Sequence, residues 1–206
     1  MNKDRAVTKP YLLAPALLLL TLARCGGGSV ASAQPVVPPV VVTATALVYA
    51  DPVSGTYLLK KNAALSTPAS HLVLDLWGPA TVSGAGVAGT FTLDAAKAAW
   101  SNVNASDPAA TFVANGTVFA LGSGLSILKG KVTGGVLSAT VAEKGLGTPK
   151  ALNGPLLRIA LDLKAGQGTP AGTPIALTAD GAKAQVLLAD GTLPAITVAV
   201  GTLTAQ

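Results

Sequence analysis

The chain has one cysteine and one histidine among 206 residues. A lone cysteine rules out an intramolecular disulfide, and one of each rules out a conventional Cys/His zinc site. Aromatic residues make up 4% of the chain and charged residues 11%, and Lys60-Lys61 is the only adjacent basic pair. Nucleic-acid binding needs a clustered basic face with stacking rings, so nucleic acid is not an expected partner. The N-terminal apolar stretch, residues 11–22, is twelve residues long, short of the roughly 20 that a membrane-spanning helix requires.

What is abundant points the other way. Half the residues are hydrophobic, with 23 Gly and 14 Pro breaking the chain at short intervals. Valine, threonine and small residues with frequent breakers fit an all-β domain, and the high hydrophobicity excludes disorder. The expected fold class is all-β.

The N terminus reads as an export signal. Lys3, Arg5 and Lys9 precede the apolar stretch, the layout of a signal peptide. Leu22-Ala23-Arg24-Cys25 resembles a bacterial lipobox, which implies removal of residues 1–24 and lipid attachment at Cys25, followed by a Gly26-Gly27-Gly28-Ser29 tether. Gly26 lacks the aspartate associated with inner-membrane retention, so the outer membrane is the expected address. Arg24 departs from the small residue usual before the cysteine. The alternative is cleavage after Ala33, within Ala31-Ser32-Ala33, which would release a soluble protein. Four of the 14 basic and one of the nine acidic residues precede Cys25, which leaves 10 against 8. Residues 25–45 read as a Gly/Pro-rich linker, although Val40, Val41 and Val42 would equally suit a first strand. The domain is expected over residues 46–206.

Within it, strand and turn signals alternate. Leu47-Val48-Tyr49 and Tyr57-Leu58-Leu59 flank an Asp51-Pro52 turn and read as a hairpin. Leu72, Leu74 and Leu76 alternate with His71, Val73, Asp75 and Trp77. Asn115-Gly116, between two apolar pairs, signals a tight hairpin, and Gly134-Gly135 a second one. Leu157, Ile159, Leu161 and Leu163 alternate with Arg158, Ala160, Asp162 and Lys164, the period of a strand with one buried face. Asp190-Gly191 supplies a turn before Ile196, Val198 and Val200.

Several of these segments together resemble the cohesin-like β-sandwich family. They are Phe91-Thr92-Leu93-Asp94 leading through a short turn to Trp100, the strand from Gly135 to Ala142, the glycine-led strand Gly154-Pro155-Leu156-Leu157-Arg158-Ile159-Ala160-Leu161-Asp162-Leu163, and the closing stretch from Ala189 to Thr204. The resemblance covers roughly residues 70–206. It implies a two-sheet, jelly-roll-like sandwich of about nine strands, with an extra hairpin at its N-terminal side. It also implies a non-catalytic module that engages a protein partner through a sheet face, as cohesins engage dockerins. No partner-contact motif carries over residue by residue.

The candidate chemistry is thin. His71 is expected at an exposed strand start, and no serine lies in a nucleophile elbow. Asp51, Asp75, Asp94, Asp107, Glu143, Asp162, Asp180 and Asp190 are dispersed, several of them at turns. They form neither an Asp-rich calcium loop nor a visible carboxylate pair. No metal, cofactor or catalytic residue is assigned. Val73 and Trp77, on the outward face of their strand, are the expected binding residues. With Ala160 they would form an apolar patch suited to protein docking, while an exposed Trp77 would also suit a polysaccharide. A structural role in an envelope or secretion assembly is the third reading.

Overall fold

The computed structural model describes residues 40–119, 121, 126–143 and 148–206. The strands are β1 (Leu47–Ala50), β2 (Tyr57–Lys61), β3 (His71–Trp77), β4 (Ser83–Leu93) and β5 (Ala98–Ser101). They continue as β6 (Val113–Asn115), β7 (Ser126–Thr133), β8 (Val136–Glu143), β9 (Lys150–Ala151) and β10 (Pro155–Leu163). Last come β11 (Thr173–Ile175), β12 (Leu177–Ala179), β13 (Gln185–Leu188), β14 (Val198–Ala199) and β15 (Thr202–Ala205). Among the described residues there is no helix.

The first sheet runs β14-β2-β3-β10-β5, with β6 continuing the β5 edge of β10. The second runs β12-β4-β8-β7, with β13 and β9 also on β4. A small third sheet, β1-β15-β11, joins the two ends of the domain. Among the described residues fifteen strand segments stand where about nine strands were expected. Long β4 and β10 each carry two short segments in series along one edge, so the segments exceed the ladder positions.

The core lies between the two large sheets and follows the alternation. Leu72, Leu74 and Leu76 of β3 and Leu157, Ile159 and Leu161 of β10 meet Val87, Phe91 and Leu93 of β4 and Leu137, Ala139 and Val141 of β8. Burying each such side chain is worth roughly 1.5–3 kcal/mol. The Trp100 indole closes the sandwich at one end, donating to the Gly135 carbonyl at 2.8 Å.

Three local expectations are corrected. β1 and β2 are not a hairpin: β1 pairs with β15, whereas β2 pairs with β3 and, in parallel, with β14. The link between them is the buried Tyr49 hydroxyl, which donates to the Leu59 carbonyl at 2.8 Å and accepts from Gly201 N–H at 2.7 Å. Asn115-Gly116 does not turn a hairpin either, since β6 adds to β10 instead. Gly116 is there because a Cβ would stand 1.9 Å from the Pro155 carbonyl oxygen. Finally, residues 42–44, read as linker, are fixed to the domain, with Ala171 N–H on Val42 O and Ala44 N–H on Thr169 O, each at 2.8 Å. By contrast, β7 and β8 form the expected hairpin, turned through Gly134 at φ 60°.

Candidate functional site

Each large sheet has an outer face, and the two faces differ. On the first sheet, cross-strand register lines up His71 with Asp162, Val73 with Ala160, and Asp75 with Arg158. This face is covered. His71 is 5% exposed, Asp75 4%, and Val73 and Ala160 0%. Asp75 is paired twice there: Arg158 Nε lies 2.9 Å from its Oδ1, and the Asn62 amide donates to its Oδ2 at 2.9 Å. His71 Nδ1 lies 2.5 Å from Asp162 Oδ1.

Two loops flank this face. In residues 62–70, the Ser66 hydroxyl accepts from Val73 N–H at 3.0 Å and donates to Asn62 O at 2.6 Å. Residues 102–111 form an arch held by Asn102, whose amide donates to the Asp107 and Ala109 carbonyls and whose Oδ1 accepts from Phe112 N–H at 3.0 Å. Leu65 and Thr67 of one loop face Val103 and Asn104 of the other across a groove of about 430 Å³ that reaches His71. His71 Nε2 is buried and has no hydrogen-bond partner among the described residues.

The outer face of the second sheet is open. Register sets its residues in rows. Thr178, Thr92 and Val136 form one; Thr90, Ser138 and Lys131 the next; Gln185, Ala88, Thr140 and Lys129 the third; and Leu187, Gly86, Ala142 and Ile127 the last. Thr92, Ser138, Thr178, Lys129 and Lys131 are exposed, while Thr90 at the centre is 8% exposed, its hydroxyl 3.5 Å from that of Ser138. Asp180 marks one rim. The Lys183 ammonium at 3.1 Å and the Ala182 amide hold its carboxyl below the usual aspartate range. The surface carries short hydroxyl and methyl side chains and has lysines at the opposite rim.

No protein-family model matches the chain, and no curated protein matches it by sequence. Solved structures do. The second type II cohesin module of the adaptor ScaA scaffoldin of Acetivibrio cellulolyticus superposes with TM-score 0.57 at 10% identity, over 73% of this chain and 89% of that one. The cohesin of a type II Cohesin-X-Dockerin complex from the same organism gives 0.54 at 9%, over 71% and 95%. The sixth cohesin of its scaffoldin B, solved in complex with a Cel5 dockerin, gives 0.50 at 14%, over 72% and 97%. The fold is that of a cohesin module.

Within this cohesin-like domain the expected binding residues do not form a surface patch. Val73 points outward from the core, as its alternation requires, but the covered face buries it completely, along with Ala160. His71, expected to be exposed, is buried on the same face. Trp77 is half-buried, and the Lys60 ammonium sits 4.9 Å from its ring centroid, a cation–π contact. Cys25 lies outside the described residues. Among the described residues no group of three or more His, Cys, Asp or Glu side chains converges as a metal site would require. The open face of β4 and β8 went unread in the sequence. Its signal was the hydroxyl half of the alternation, Thr90 and Thr92 around Phe91, and Ser138 and Thr140 around Ala139.

Proposed function

We propose that this cohesin-like domain is a non-catalytic docking module of the cell envelope that binds a protein partner through the outer face of the β12-β4-β8-β7 sheet. One observation carries this reading: of the two large sheets, one has the side chains of its outer face buried, and the other presents a broad surface of exposed Thr, Ser and Lys side chains. A broad surface of small side chains suits macromolecular contact. The cohesins of the two dockerin complexes supply the precedent for the partner class. Export rests on the signal-peptide layout, and attachment to the envelope on a lipid at Cys25. Intact-mass measurement of the processed chain separates a lipidated Cys25 start from cleavage after Ala33.

A polysaccharide reading has less support, because Lys60 covers a face of the Trp77 ring that a sugar would stack on. The deciding experiment is capture from envelope and secreted fractions with residues 34–206 as bait, compared among the native domain, Ser138→Arg with Thr92→Arg, and Trp77→Ala. A partner kept by Trp77→Ala and lost with the paired arginines supports face docking. A partner, or a glycan, lost only with Trp77→Ala overturns it.

A further inference from the structure

Strand β7 is an edge. It pairs with β8 along its whole length, Ser126 opposite Glu143 through Thr133 opposite Val136, and among the described residues no strand pairs with its other side. In an antiparallel ladder alternate residues turn both their N–H and their C=O away from the partner strand. Among the described residues, none of these outward groups of β7 has a backbone or side-chain hydrogen-bond partner. Eight residues at about 3.4 Å each give an open template on the order of 27 Å long.

Natural proteins usually blunt such an edge with charge, and Lys129 and Lys131 fit that role. Two features are left unexplained by it. Ile127 and Leu128 are 38% and 42% exposed on the same strand, where protection alone would favour further polar residues. The strand also borders a groove of about 420 Å³, lined by Thr111, Leu128, Gly130, Lys131, Ser138 and Thr140 among others. The rows of the sheet's outer face contain no acidic side chain until Asp180 at the far rim, so the charge beside β7 on that face is positive.

We propose that β7 is a strand-addition site for an extended, acidic segment of a partner protein. Main-chain hydrogen bonds would extend the sheet by one strand. Alternate acidic side chains would lie beside Lys129 and Lys131 on the outer face, and alternate apolar ones beside Leu128. The lysines select the occupant: two copies pairing through β7 would set these like charges beside each other, whereas an acidic strand neutralises them. This edge site does not depend on docking at the centre of the sheet face.

The test uses residues 34–206 and a short capped peptide of alternating valine and aspartate. Binding is followed by isothermal titration and by hydrogen exchange of the β7 amides. Expected are saturable binding, slowed exchange of the outward β7 amides, and affinity that falls with added salt. K129E/K131E should weaken binding by about tenfold, the equivalent of 1.4 kcal/mol, and restore it toward a valine–lysine peptide. N-methylation of alternate peptide nitrogens removes only main-chain donors and leaves the protein native, so loss of binding with that peptide reports strand pairing itself. Absence of binding, or binding indifferent to N-methylation, overturns the proposal. So does concentration-dependent self-association with protection at β7. Thr178→Arg with Thr92→Arg, on the side of the sheet away from β7, addresses face docking alone, so the two readings fail separately.

Discussion

Arg158 sets its Nε 2.9 Å from Oδ1 of Asp75 across the β3–β10 ladder, on the sheet side that alternation turns away from the core. Their side chains are 21% and 6% exposed, so both ions are largely out of water. Removing one partner of such a pair leaves a charge stranded. Arg158→Met is expected to cost about 3 kcal/mol in urea unfolding, and Asp75→Leu combined with Arg158→Met distinctly less. An equal loss in the single and double variants would show that the pair contributes packing alone.

Tyr49 gives the protein an alkaline limit. Burial, opposed by the bond from Gly201 N–H and reinforced by the Asp51 charge, pushes its hydroxyl from the ordinary 10.0 up to about 12. The folded chain therefore holds this proton where the unfolded chain releases it. Its contribution is intact below pH 10 and is lost as pH rises toward 12. Urea midpoints should fall over that window in the native protein and fall less steeply in Tyr49→Phe. At neutral pH the same variant should cost about 1–2 kcal/mol for the lost hydrogen bonds.

At the acid end, Asp94, Asp180 and Asp190 are each lowered, chiefly by side-chain hydrogen bonds from Lys97, Lys183 and Thr192. What these groups contribute is present above the ordinary aspartate range and lost as pH falls through their lowered values. Carboxyl carbon shifts followed by NMR should show all three titrating below a free aspartate. In Thr192→Val, Asp190 should return toward the ordinary range while Asp94 stays put.

Two glycines should respond oppositely to substitution. Gly116→Ala forces a methyl to within 1.9 Å of the Pro155 oxygen and should cost about 3 kcal/mol. Gly134 has φ +60° and nothing near its absent Cβ, so Gly134→Asn, which tolerates the left-handed region, should stay within about 1 kcal/mol. Thermal melts of both check this.

How far the sequence predicts each feature depends on how local its cause is. The alternation of Leu157, Ile159 and Leu161 marks the strand and its core-facing side correctly, since that signal lies within the strand itself, although Ala160 on the other side is buried as well. The glycine turn between β7 and β8 is equally local. The Asp51-Pro52 turn signal misleads because Leu47 finds its partner in Ala205, at the far end of the domain, and no local pattern reports such a pairing. Gly116 has the wrong cause in a motif-based reading: steric approach of β10, not a turn. Val73 is correctly placed on the outward side of its strand, yet periodicity carries no information about loops that fold back over a sheet. The same holds for the candidate site, where the open face became visible only when one sheet was seen covered and the other bare.

The β1–β15 pairing sets how the domain carries force. Leu47 lies opposite Ala205, and Ala50 opposite Thr202, so tension entering at Leu47 and leaving at Ala205 pulls from one end of the ladder and peels its bonds singly. Were tension to enter at Leu47 and leave at a site on β4 and β8, it would bypass that ladder's far strand and be shared across the core between the sheets. The domain is thus expected to yield early when stretched between Leu47 and Ala205 and to hold better when loaded across its two large sheets.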